Sequence, residues 1–380
     1  MRESVFVQNK KKINVNLSFI IKDRVFTISL LLAIASCFIH PPKLEYLNIH
    51  VLVSLFNLML AIKALDELRL LDKIAISILN RCNNSKSVSA ILIFLCFFSS
   101  MFVTNDVALL TFVPLTLVIS RKTGIPMIET IILQTIAANI GSSLTPMGNP
   151  QNLFIYSFYG LKPMAFFITV FLVAVLGISS LYFSIYMLHK RELKLELASI
   201  RIKDRNRAAI WGIVLAIIVA SIFGLISYQI AFIITLMTVL LFNIKLLIKI
   251  DYMLLLTFIC FFIFIGNIAD TNVVQTLASE SLKDSSSVFF SSILVSQFIS
   301  NVPASILLAE FTTDWKSLLL GVNIGGLGTM IASMASVISY KLFIMANPNE
   351  GKKYLLTFSI YNFSYLAFFT FIQYFILKLI

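Results

Sequence analysis

Two short stretches of this sequence gather side chains able to hold a small ion in surroundings that are otherwise apolar. In the first, Thr104, Asn105 and Asp106 are followed by a segment from Asn139 to Asn152 that carries Gly141, Ser142, Thr145, Gly148 and Asn149. In the second, Ser300 and Asn301 precede Asn323, Gly325 and Thr329. An Asn side chain offers an acceptor oxygen to a cation and donor hydrogens to an oxyanion, and hydroxyls can do likewise. Asp106 is the one acidic or basic residue between Lys86 and Arg121. A carboxylate in apolar surroundings is costly unless it meets a cation, which makes Asp106 a candidate Na⁺ ligand or proton carrier. Asp is also a favoured helix cap, and a helix beginning at Val107 would use it so.

The elements that must position these residues are membrane spans. Of 380 residues 59% are hydrophobic and only 13% charged, and the mean hydropathy is +0.94, more apolar surface than a soluble domain of this size can hide. Residues 208–244, 254–269 and 354–377 contain no charge at all, and about 20 apolar residues make one crossing. The net charge of +12 would suggest nucleic acid in a soluble protein. Here the Lys and Arg residues cluster in short segments between apolar runs, where they report orientation in the membrane instead. No phosphate loop, helix-borne His pair or Cys cluster points to ATP use or metal catalysis. Cys37, Cys82, Cys96 and Cys260 lack metal-ligand spacing and read as small core residues; the stretch 34–37 also loosely imitates a lipoprotein cleavage site.

These constraints predict an all-α polytopic membrane protein of about nine spans plus two re-entrant hairpins, with two broken helices. A basic leader over 1–24 is expected in the cytoplasm. The first transmembrane repeat covers 25–188, with a hairpin at 87–120 and a broken helix at 126–159. A densely basic cytoplasmic loop follows at 189–207, a linking span at 208–224, and a second repeat at 225–380 with a hairpin at 287–313 and a broken helix at 315–345. For 87–120 two full spans compete with the hairpin; arms of about 15 residues and the polar tip favour re-entry. Prolines, glycines and amides between 139 and 152 cannot continue a helix, and free backbone groups at membrane depth persist only where protein or water lines them. Glu129 and Glu310 fall nearer the membrane surfaces and read as solvated.

Side by side, the polar stretches form a repeat: hydroxyl-Asn at 104–105 and 300–301, then Asn-Ile-Gly at 139–141 and 323–325. Counted from a cytoplasmic N-terminus, one hairpin opens inward and the other outward, so the repeats are inverted. Discontinuous helices in inverted repeats aim half-helix N-termini at anions and leave carbonyls for cations. No Lys or Arg lies in the polar centre, so an anion's charge there must be offset by helix ends, amide donors and a co-bound cation. That favours symport of a small inorganic or organic anion with Na⁺ or H⁺; cation/proton antiport with Asp106 as carrier is the competing reading. The first stretch holds the only carboxylate, so the cation is expected mainly on that side.

The runs Thr104 to Leu115 and Asn139 to Asn152 resemble the ion transporter superfamily of arsenite permeases, sodium/proton antiporters and divalent-anion/sodium symporters, and most of all its citrate-transporter-like anion permease branch. In the symporters a Ser-Asn-Thr tip contacts substrate carboxylate and helps form a Na⁺ site with the neighbouring break. The matching tips here are Thr104-Asn105-Asp106 and Ser300-Asn301-Val302, so hydroxyl and Asn carry over and the final Thr does not. The family's Gly-Thr-Pro-Pro-Asn is matched in part by Gly148-Asn149-Pro150-Gln151-Asn152. The resemblance implies Asn105, Asp106, Gly148 and Asn301 as candidate Na⁺ ligands, no cofactor beyond Na⁺ as coupling ion, and a homodimer in a bacterial cytoplasmic membrane working by elevator-like movement.

Overall fold

The computed structural model describes residues 24–193, 197, 198, 202, 204–269 and 271–379. The basic leader up to residue 23, and Lys194, Arg201 and Lys203 of the basic loop, lie outside the described residues. Among those described the secondary structure is helical, without named strands, as the apolar composition requires: in hydrocarbon a helix satisfies its own backbone groups.

The first helix among the described residues is α1 (Arg24–Ser36); the chain then breaks at His40-Pro41-Pro42 and returns as α2 (Ile49–Glu67), whose first turn is capped by Asn48. The amphipathic α3 (Leu70–Leu79) joins it to the first hairpin, α4 (Ser85–Val103) and α5 (Asn105–Thr123). Then come α6 (Ile128–Ser142) and α7 (Pro150–Phe158), the long α8 (Pro163–Met187), α9 (Arg205–Ile222), α10 (Tyr228–Phe242), α11 (Leu246–Lys249) and α12 (Tyr252–Ala269). A short α13 (Asn272–Ser281) leads to the second hairpin, α14 (Ser285–Ile299) and α15 (Asn301–Ala309), and to α16 (Trp315–Gly325), α17 (Met334–Ala346) and α18 (Gly351–Leu379).

Six of these helices are long and apolar enough to cross a membrane, and the side chains exposed on them, such as Phe171, Tyr182, Phe183, Leu356 and Phe371, are the apolar ones a lipid-facing belt needs. The protein is an all-α polytopic membrane protein. The arms of the first hairpin are longer than the sequence suggested: α4 and α5 have 19 residues each, about 28 Å at helical rise. Their length is therefore no evidence for re-entry. The polar residues at either end extend the helices, with Asn84 capping α4 and Gly124 closing α5 in the left-handed conformation.

Both breaks begin later than expected. Asn139, Gly141 and Ser142 belong to the end of α6, and the irregular segment is 143–149; Asn323 and Gly325 close α16, and the second break is 326–333. Small residues let each hairpin press on its broken helix. A Cβ at Gly141 would fall on the Phe97 carbonyl, and one at Gly325 would lie 2.9 Å from Ser296 Oγ. The packing is reciprocal between halves: α17 lies on α5, and α7 lies on α15.

Candidate functional site

The repeat is exact in backbone geometry at the two tips. Thr104 has φ 71° and ψ 154°, Ser300 φ 75° and ψ 154°, a region that belongs almost wholly to glycine. Each tip is pinned to its own break in the same way. Asn105 N–H donates to Gly148 O at 3.3 Å, and Asn301 N–H to Ala332 O at 3.0 Å. Thr145 Oγ1 donates to Met101 O at 2.5 Å, and Thr329 Oγ1 to Gln297 O at 2.9 Å.

Between the breaks the two halves exchange hydrogen bonds. Asn139 Oδ1 accepts from Ser333 Oγ at 3.0 Å and from Asn105 Nδ2 at 3.1 Å, while its own Nδ2 donates to Gly326 O at 3.5 Å. In mirror fashion Asn149 Nδ2 donates to Asn323 Oδ1 at 3.2 Å, and Asn323 Nδ2 to Asn152 Oδ1 at 2.7 Å. Each half's helical Asn thus meets the residue that opens the other half's post-break helix. Ser142 is drawn in through its hydroxyl, which accepts from Asn149 Nδ2 at 3.2 Å. Asn139, Asn149, Asn152 and Asn323 are all buried, and their amides satisfy one another as buried polar groups must.

Of the residues singled out in the sequence, Asn105, Asn139, Ser142, Asn149, Asn152 and Asn323 form this connected centre, while Thr104 shapes the first tip through its backbone. Asn301 and Ser300 bond within the second tip, where the Ser300 hydroxyl donates to Ala332 O at 3.3 Å. Thr145 and Thr329 tie hairpin to break, and Gly141 and Gly325 serve close helix packing. Gly148 lies against the Ser142 backbone with no room for a side chain. Sequence reading missed Ser333, the Ala332 carbonyl and Gln297. Ser333 and Ala332 were accessible by extending the register, since break equivalents lie 184 residues apart (Asn139/Asn323, Thr145/Thr329, Gly148/Ala332, Asn149/Ser333); hairpin equivalents lie 196 apart (Thr104/Ser300), which pairs Gln297 with the apolar Met101 and gives no signal.

Asp106 departs from the capping role open to it. The helix begins two residues earlier than Val107, at Asn105, whose own Oδ1 accepts the Asp106 N–H at 3.0 Å. The Asp106 carboxylate oxygen Oδ1 is buried and has no hydrogen-bond partner. Asp106, Thr104 and Asn149 border a cavity of about 270 Å³ that reaches between α2 and α12 to a charged mouth bearing Lys63, Asp66, Lys249 and Asp251. At this mouth Lys63 pairs with Asp66 at 2.8 Å, and Lys249 pairs with Glu67. Position in the first turn of α5 places the carboxylate at the positive end of that helix, which offsets part of its burial cost.

Four helices, α5, α7, α15 and α17, start at this centre, and α4, α6, α14 and α16 end there. Start ends favour anions and finish ends favour cations. A polytopic membrane protein with helices broken around a polar centre is built as a carrier is built. The chain belongs to the citrate transporter family, whose sequence profile matches residues 17–314. It is 35% identical over 292 residues to an uncharacterized transporter of Methanocaldococcus jannaschii, covering 76% of this chain and 79% of that protein. It is 27% identical over 333 residues to the inner membrane protein YbiR of Escherichia coli, covering 84% and 88%. A Dictyostelium discoideum transporter named arsB is 26% identical over 151 residues, 39% of this chain and 26% of that one.

Proposed function

We propose that this protein is a secondary active transporter that moves a small anion, a carboxylate or an inorganic oxyanion, across the cytoplasmic membrane together with Na⁺ or H⁺. One observation carries the reading: a buried carboxylate oxygen at Asp106, without a partner, borders a cavity beside a centre of amides, hydroxyls and helix N-termini. The carboxylate calls for a cation; the amides and N-termini suit an anion. Asn105 and Gly148, bonded to each other beside Asp106, complete the proposed cation site, and Asn301 would act with Ser300 on the anion from the second tip.

The hairpins are read as re-entrant, because each tip bonds to the middle of a broken helix. The charged mouth is linked to the basic 189–207 segment through Glu67, which bonds Lys249 and Asn243, next to Phe242 on whose ring Arg207 lies. With that side cytoplasmic, the N-terminus is cytoplasmic too. The hydrogen bonds that cross between halves support movement of hairpins and broken helices as one body, an elevator-type step in a homodimer.

The test uses proteoliposomes loaded against labelled citrate, sulfate or arsenite, with an imposed inward Na⁺ or proton gradient. Accumulation of one of these anions that depends on the gradient, with the dependence lost in Asp106→Asn, is the expected result. Failure of both gradients with all three anions refutes the proposal. Na⁺-driven proton movement that needs no anion and is lost in Asp106→Asn replaces symport by antiport.

A further inference from the structure

We infer that the protein carries a single cation site, at Asp106, because two of its own amide nitrogens fill the carbonyl clusters at both helix breaks that would otherwise receive cations. This rests on the coupled-transport reading above and adds its stoichiometry. A repeat with two tips and two breaks has two equivalent places for a cation, each where a helix ends and its carbonyls lose their partners. Both places are occupied from within. At the first, Asn152 Nδ2 lies 3.3 Å from Ser142 O, 3.0 Å from Ser143 O and 3.1 Å from Thr145 O. At the second, Gln297 Nε2 lies 2.7 Å from Gly325 O and 3.1 Å from Leu327 O, with Ile293 O at 3.3 Å.

At the first break three carbonyl oxygens, and at the second two, Gly325 O and Leu327 O, beside Ile293 O of Gln297's own helix, converge on one nitrogen that has only two hydrogens. Such crowding of acceptors is the arrangement of a cation cage, here filled by the positive end of an amide. The halves reach it from different chain positions. Asn152 follows the first break, and its counterpart Ser336 has a buried hydroxyl without a partner; Gln297 precedes the second tip, and its counterpart Met101 cannot donate. The amide oxygens are engaged as well: Asn152 Oδ1 accepts from Asn323, and Gln297 Oε1 accepts the Thr329 N–H at 2.9 Å. What remains is the acidic side chain, and of the two tips only the first has one, since the residue equivalent to Asp106 is Val302. One cation then accompanies each anion.

The experiment counts cations. Purified wild-type protein is equilibrated with labelled Na⁺ at pH 8, and its proton uptake between pH 8 and pH 5 is compared with that of Asp106→Asn. One site is expected in total: one Na⁺ per protomer that Asp106→Asn lacks, or no Na⁺ and one proton fewer in Asp106→Asn. Two Na⁺ per protomer, or a Na⁺ retained in Asp106→Asn, overturns the inference. Gln297→Glu and Asn152→Asp each exchange the filling nitrogen for an acidic oxygen, and each should raise the count by one. An unchanged count in a variant that elutes as folded protein also overturns it, and if neither variant folds the wild-type count alone decides. A wild type that binds neither ion and shows no gradient-driven uptake refutes the coupled-transport reading, and the inference falls with it; gradient-driven uptake with a count other than one refutes the inference alone.

Discussion

The strained tips set up a test in which stability and function should move in opposite directions. Thr104 lies at φ 71°, ψ 154°, where a non-glycine residue costs about 1–3 kcal/mol, and a β-branched side chain worsens the fit. Thr104→Gly removes that cost and adds about 0.5–1 kcal/mol of unfolded-state freedom. The Thr104 side chain caps no helix N–H, so little else is lost. The balance is a gain of about 0–2.5 kcal/mol. Ser300 has the same backbone, but its hydroxyl donates to Ala332 O at 3.3 Å, a bond worth about 0.5–1.5 kcal/mol net. Ser300→Gly should therefore gain less than Thr104→Gly by roughly that amount. Thermal unfolding of the purified proteins in one detergent gives the order: Thr104→Gly at or above wild type, Ser300→Gly below Thr104→Gly. Because the stiff tip holds Asp106 toward the cavity, Thr104→Gly should bind the coupling cation more weakly even while it unfolds later. A Thr104→Gly protein less stable than wild type by more than about 1 kcal/mol would refute the strain argument, since surface-like substitutions stay within about 0.5 kcal/mol.

Two further outcomes follow from the packing at the breaks. Gly325→Ala meets the Ser296 Cβ and Oγ at 2.9 Å, contacts that a small side-chain shift relieves in part, and should cost about 1–3 kcal/mol. Gly141→Ala meets the Phe97 backbone carbonyl, which cannot rotate away, so its midpoint in the same unfolding assay should fall further than that of Gly325→Ala. Asn139→Ala removes the acceptor of both Asn105 Nδ2 and Ser333 Oγ, leaving two buried donors unpaired at about 1–3 kcal/mol; thermal unfolding should show it as a larger loss than Thr145→Ser, which keeps its hydroxyl donor.

The sequence carried the class of fold and the two polar centres because both depend on composition: a charge-free run of 20 residues and a cluster of amides inside one are unmistakable. It carried the helix bounds less well. Asn-Ile-Gly looks like a break in both halves, yet Asn139 and Asn323 lie inside helices, since a buried Asn can bond across to the other half instead of to its own backbone. For Asp106 the sequence left an N-cap beside the ion-binding role; the helix starts at Asn105, whose Oδ1 takes the Asp106 N–H, and Asp106 Oδ1 accepts no hydrogen bond. Gln297 was invisible for a different reason. Its role depends on which carbonyls the second break presents to it, and that is set by the tertiary approach of α14 to α16.

The same capping decides how an anion and a cation depend on each other at the proposed site. Four helix starts and four helix ends meet at the centre, but the end carbonyls are partly covered. Those of α6 and α16 are covered by the Asn152 and Gln297 nitrogens, and Met101 O and Gln297 O of α4 and α14 by the Thr145 and Thr329 hydroxyls, which leaves the positive starts dominant. The one full charge left is the Asp106 carboxylate, and it is negative. While it is bare it cancels the field of the helix starts and repels an anion across a medium of low dielectric, where such repulsion is strong. Once a cation sits on it the helix starts act unopposed. An anion therefore gains affinity when Asp106 is neutralised, and by linkage the cation gains the same factor from the anion. Coupling in this arrangement needs no contact between the two ions; it follows from a centre whose positive dipoles are opposed by a single carboxylate.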